Sequence, residues 1–127
     1  MNTMNETNES DKKKRLLIID DEENMRHMLT AMLKNFGYMV DTAGDGQQGL
    51  SLIDETDFDF ILCDIKMPNM DGMTFLVEAE KKKCDSTIIM MSAYGNVETA
   101  IAAMKNGAYD YISKPFKADE VQMTLKK

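Results

Sequence analysis

An α/β domain built on a parallel sheet is the fold class predicted by this 127-residue sequence. Two observations carry the prediction. Short apolar runs alternate with apolar stripes of helical period, so strand and helix follow one another as five βα units. Neither a repeat nor a linker interrupts the alternation, so a single domain holds all of it. At this length roughly two thirds of the unfolded chain's surface can be buried, enough for one core.

The first run, RLLIID at 15–20, reads as a buried strand. Met25, Met28, Leu29, Met32, Leu33 and Phe36 then recur as one stripe of an amphipathic helix, which Asn35 and Gly37 stop. YMVDT at 38–42 is the second strand, and residues 46–55, with Leu50 and Ile53 on one side, form the second helix. The third strand is the run Phe60–Cys63, which ends abruptly at Asp64. Met73, Leu76, Val77 and Glu80 mark a third helix running into Lys81–Lys83. STIIMMS at 86–92 is the fourth strand. Val97, Ala100, Ile101 and Met104 are spaced for a fourth helix, capped by Asn106–Gly107. AYDYIS at 108–113 is the fifth strand, and a helix begins near Ala118. The sequence stops inside that helix, at VQMTLKK, as expected if an output domain lies beyond Lys127. Residues 1–14, polar and Asn-rich, read as a disordered lead to a domain over 15–127.

Composition narrows the function. Hydrophobic residues at 43% and charged residues at 29% are ordinary for a soluble globular protein. No apolar run approaches the roughly 20 residues of a membrane helix. A net charge of −7 argues against long-range attraction to nucleic acid or an anionic membrane. Cys63 and Cys84 lack metal-like spacing and fit reduced thiols in the cytoplasm. Inside an apolar run the Cys63 thiolate is disfavoured, so that residue is core and not a nucleophile. Thirteen methionines sit largely on the stripes, where they fill core. His27, the single histidine, lies off its helix's stripe and reads as solvated, not as a phosphodonor.

Right-handed βαβ connections bring every strand's C-terminal end to one sheet edge, where open α/β sheets bind ligands. Strand one delivers Asp20–Asp21 there, strand three Asp64, strand four Ser92 and strand five Lys114; strand two ends in Asp41–Thr42 and adds nothing distinctive. Each residue alone has an ordinary explanation, since acids favour a helix start and lysines are usually solvated. Their coincidence at strand ends is the signal. Three neighbouring carboxylates repel, and at least one is protonated near neutrality unless cations join them. Lys114 supplies one positive charge, and a hard divalent cation with oxygen ligands, Mg2+, supplies the rest. With no histidine or cysteine in place, zinc is excluded. Such a pair neutralises a phosphoryl group, which makes Asp64 a candidate nucleophile and Ser92 a hydrogen-bond donor to a phosphoryl oxygen.

LLIIDDEENMR, FILCDIKMPNMDG, IIMMSAYG and GAYDYISKPF together resemble the signatures of the response-regulator receiver domain of two-component signalling, from about Arg15 onward. The resemblance implies a doubly wound, flavodoxin-like, five-stranded parallel sheet in the order 2-1-3-4-5, with helices on both faces. It implies that Asp64 accepts a phosphoryl group from a sensor histidine kinase. Asp21 and Asp64 would bind Mg2+ directly, Asp20 through water, and the Lys66 carbonyl would be a further ligand. Lys114 would pair with the phosphoryl group, and the Lys114–Pro115 bond would be cis. Ser92 and Tyr111 would be the switch pair, Ser92 replacing the threonine of many members. The surface near Ala103, Lys105 and Tyr111, on helix four, strand five and helix five, would then receive a second copy or an output domain. The domain would be no enzyme in the usual sense, catalysing only its own phosphorylation and dephosphorylation. The stretch from Ser92 to Phe116 is most similar to receivers of transcriptional activators that work with the alternative sigma factor, sigma-54.

Three rival readings remain. A phosphatase of the haloacid dehalogenase type needs a second acid where this chain has Lys66. A flavodoxin-like nucleotide carrier wants a Gly- or Ser/Thr-rich loop after strand one, where this chain has Asp-Asp-Glu-Glu. A receiver-like interaction domain without phosphate turnover would be separated by phosphorylation in vitro.

Overall fold

A computed structural model describes residues 13–93 and 96–126. Most of the expected disordered lead, residues 1–12, lies outside the described residues, as do Tyr94, Gly95 and Lys127.

Five parallel strands, β1 (Arg15–Ile19), β2 (Met39–Ala43), β3 (Phe60–Asp64), β4 (Thr87–Ser92) and β5 (Asp110–Ser113), form one sheet in the order β2-β1-β3-β4-β5. The helices between and after them are α1 (Glu23–Asn35), α2 (Gly46–Glu55), α3 (Gly72–Lys81), α4 (Val97–Lys105) and α5 (Ala118–Lys126). This is the predicted doubly wound sheet. Strand side chains alternate faces, so Leu16, Ile18, Leu62, Ile89 and Met91 pack with Leu29 and Leu33 of α1 and Val121 and Leu125 of α5. Leu17, Ile19, Ile61, Cys63 and Met90 pack on the other face with Phe75, Leu76 and Ala79 of α3, Ala103 of α4, and Leu50 and Ile53 of α2. Leu29 and Leu33 are fully buried, and truncating either to alanine would cost about 2–5 kcal/mol.

Local chemistry sets the helix starts. Asp45 caps α2 by accepting from the Gln48 N–H at 2.9 Å, and Asp71 caps α3 by accepting from the Thr74 N–H at 2.9 Å. Gly37, at φ +100, follows α1 in the left-handed region that ends helices.

Three stripes are rotated from their expected positions. Met28 is 46% exposed, so α1 packs along Leu29 and Leu33 with Met25 and Met32 beside them. In α3 the buried line runs through Phe75, Leu76 and Ala79, while Glu80 is exposed. The largest change is in α4, which buries Ala100 and Ala103 and turns Val97, Ile101 and Met104 outward at 62%, 50% and 42% exposure. Ala103, expected on the surface, is therefore core. Strand five starts two residues late, at Asp110, because the Ala108 N–H is still bonded to the Ala103 carbonyl of α4 and Tyr109 only begins the pairing with an N–H bond to the Ile88 carbonyl.

Candidate functional site

The ladder ends level on the central strands. Ile19 is in register with Ala43 and Cys63, Asp64 with Met91, and Ser92 with Ser113. One residue further, Asp20 leaves β1 and Lys114 leaves β5, so residues far apart in the chain arrive at one place. Asp20, Asp21 and Asp64 each offer a carboxylate oxygen within 4.8 Å of the others, a group able to hold a metal ion. Lys114 Nζ stands 3.1 Å from Asp20 Oδ2 and 3.3 Å from Asp64 Oδ2. Asp20 is fully buried, Asp64 is 8% exposed, and Asp21 faces solvent.

Several backbone contacts hold the acids in place. Asp20 N–H donates to the Ala43 carbonyl at 3.1 Å, and Asp20 Oδ1 accepts from Glu22 N–H at 2.9 Å. The Lys114 N–H donates to the Ser92 carbonyl at 2.7 Å, tying Lys114 to the end of β4. Ser92 is 2% exposed. The Lys114–Pro115 peptide is cis, as the family resemblance implies.

Burial pushes the Asp64 carboxyl above its ordinary pKa; Lys114 opposes the rise, and the charges of Asp20 and Asp21 add to it. For Lys114 burial alone would lower the pKa, but the Asp64 and Asp20 carboxylates outweigh it and the group titrates above its ordinary value. The cluster thus carries more negative charge than one ammonium balances, with oxygen donors only. That donor set fits a hard divalent cation such as Mg2+ and does not fit zinc.

The remaining expectations sort themselves by position. Asp41 points away and pairs with Arg15 at 3.3 Å. His27 is solvated, 3.9 Å from Glu23. Cys63 is buried, and desolvation together with the Asp64 charge raises its thiol pKa, so it is no nucleophile. Lys66 lies two residues beyond β3 with its side chain in solvent. Tyr111 is 41% exposed on β5. A cleft of about 650 Å³ exists at the opposite sheet edge, around Asp57, Lys83 and Cys84, but none of the strand-end carboxylates lines it.

Two residues of the site escaped the sequence reading. Gly72 begins α3 so close to β3 that a Cβ there would lie 2.1 Å from the Asp64 carbonyl oxygen. Arg26 Nη1 donates to the Asp20 carbonyl oxygen at 2.7 Å. A signal for Arg26 was present, since a cation in a helix's first turn opposes the helix dipole and calls for a partner.

A parallel sheet in this order with acids and a lysine at its carboxyl edge defines a phosphoryl-handling regulatory domain, and the chain belongs to the response regulator receiver domain family, whose model matches residues 16–126. It is 40% identical over 112 residues to the transcriptional regulatory protein ZraR of Escherichia coli K12, covering 88% of this chain and 25% of that protein. To the regulatory protein AtoC of the same strain it is 39% identical over 113 residues, covering 89% of this chain and 24% of that protein. The crystal structure of NtrX from Brucella abortus superposes with a TM-score of 0.85 at 33% identity, covering 90% of this chain and 26% of that one. The chain thus spans about a quarter of the length of the curated relatives it matches. The family sets aside the phosphatase and nucleotide-carrier readings: this is a regulatory domain of two-component signalling.

Proposed function

We propose that Asp64 accepts a phosphoryl group from the phosphohistidine of a sensor histidine kinase. An Asp64 carboxylate oxygen attacks phosphorus, the new O–P bond forms, and the P–N bond breaks with its electron pair returning to the donor imidazole. The observation that carries this reading is the convergence of Asp20, Asp21 and Asp64 at the carboxyl edge of the sheet, with Lys114 paired to Asp20 and Asp64. Lys114, already 3.3 Å from Asp64 Oδ2, is placed to pair with an incoming phosphoryl oxygen. Asp21 and Asp64 would hold Mg2+ directly, Asp20 through water, with the Lys66 backbone carbonyl as a further ligand. Bound there, Mg2+ would neutralise charge on the phosphoryl oxygens. The same residues serve both self-catalysed phosphorylation and hydrolysis, so the domain turns over no separate substrate.

The switch we propose is Ser92 with Tyr111. A new dianion on Asp64 draws the Ser92 hydroxyl toward it, vacating space beside β4 for the Tyr111 ring, which now stands 41% exposed. Two arrangements a few kcal/mol apart suffice for phosphorylation to shift the population. The face that changes comprises α4, β5 and α5, where Ile101, Met104 and Tyr109 are exposed at 50%, 42% and 49%. A second copy or an output domain docks on it, and the output is transcription, with sigma-54 as the partner sigma factor. This domain itself touches neither DNA nor membrane. Its proposed site of action is the cytoplasm; among the described residues no helix is long and apolar enough to cross a membrane.

Incubation with acetyl phosphate and Mg2+, followed by intact mass, tests the reading. Wild type should gain the mass of one phosphoryl group and Asp64→Asn none. A wild-type chain that never labels would leave an interaction domain without phosphate turnover.

A further inference from the structure

We propose that Arg26 is a positioning residue for the divalent-cation site, clamping the Asp20–Asp21 peptide so that the Asp21 carboxylate stays aimed at Asp20 and Asp64. This rests on the Mg2+-dependent reading above. The β1 ladder ends at Ile19, so the turn that follows is not held by strand pairing. Asp20 is well secured: it is fully buried, its N–H bonds to Ala43, and its carboxylate meets Glu22 N–H and Lys114. Asp21 is different. It is exposed, so packing does not fix it, and its direction is inherited from the peptide plane that joins it to Asp20. That plane carries the carbonyl oxygen on which Arg26 Nη1 sits at 2.7 Å. The guanidinium is partly buried and flanked by Gly44 of the loop after β2, where a Cβ would stand 3.6 Å from Nη1.

Arg26 acts on a bound cation in two opposed ways. Its positive charge repels a divalent cation, whereas its hydrogen bond organises one of that cation's ligands. If charge alone mattered, removing Arg26 would tighten cation binding; if the clamp dominates, removal weakens it. The sign of the effect therefore decides. Contacts that orient metal ligands from behind are typically worth tenfold to a hundredfold in affinity.

The test is Mn2+ binding, read as the free-ion paramagnetic resonance signal, on folded, unphosphorylated protein. Arg26→Met keeps the bulk of the stem and removes donor and charge; its Mn2+ dissociation constant should rise about tenfold. Arg26→Lys retains a donor and the charge and should recover most of the affinity. Should the methionine variant fail to fold, the lysine variant is compared with wild type alone, and a weakening below tenfold upholds the clamp whereas tighter binding overturns it. An Arg26→Met protein that binds Mn2+ as tightly as wild type, or more tightly, overturns the inference while leaving the metal site intact. A wild-type protein that takes up no Mn2+ overturns the metal reading and the inference with it.

Discussion

Gly72→Ala should damage the site without replacing any of its polar side chains. The alanine Cβ would lie 2.1 Å from the Asp64 carbonyl oxygen and 2.8 Å from the Ile65 Cα. An ordinary C···O approach is about 3.3 Å, so the start of α3 and the end of β3 must separate by roughly 1 Å. Both obstacles are backbone, and the Gly72 N–H bond to the Ile65 carbonyl at 2.7 Å binds them together, so no side chain can swing away to relieve the clash. Forced overpacking of this kind costs about 1–3 kcal/mol. For a domain of this length that is a fall in melting midpoint of roughly 4–12 °C. The displaced strand end carries Asp64, which must keep its place against Lys114 and Asp20. A displacement near 1 Å can slow an oriented transfer on the order of a hundredfold. Thermal unfolding and the rate of labelling by acetyl phosphate, measured together, read both effects. An alanine variant with wild-type midpoint and wild-type labelling rate would refute the claim that this approach positions Asp64.

Asp21→Asn removes one anionic ligand and should weaken Mg2+ binding and slow labelling sharply; unchanged labelling by EDTA-treated wild type would count against any metal role. Tyr111→Ala should leave phosphorylation of Asp64 intact yet abolish the amide shifts that beryllofluoride produces over residues 92–114, and persistence of those shifts would exclude Tyr111 from the switch. Lys114 gives a pH signature. Because its folded pKa is raised, it stabilises the metal-free fold below its unfolded value of about 10.5, and that stability is lost as pH rises through the higher folded value. Urea midpoints of wild type should therefore fall more steeply above that pH than those of Lys114→Gln, and parallel curves would deny the linkage.

How much of this was legible beforehand differs by element. Short apolar runs and stripes of helical period place the ten described elements along the chain, because both are properties of local sequence. The site acids were legible too, since a carboxylate that ends an apolar run must emerge where the strand does. Which side of a helix meets the sheet was less so. In α4 both sides are apolar, and the sequence pattern favours the stripe Val97, Ala100, Ile101 and Met104. Of that stripe the structure buries only Ala100, adds Ala103 beside it, and leaves the larger side chains for the outer face.

The sequence by itself therefore determined the fold class and the strand-end acids, on which the proposed phosphoryl chemistry rests. Tertiary structure decided what depends on separations the chain does not encode locally. Asp20 and Lys114 are 94 residues apart and meet at 3.1 Å because β1 and β5 end on the same sheet edge. The Arg26 clamp on the Asp20 carbonyl and the approach of Gly72 to Asp64 were decided in the same way. Both end on a backbone carbonyl, which no residue type in the sequence identifies, so the sequence could signal that Arg26 needs a partner but not which one.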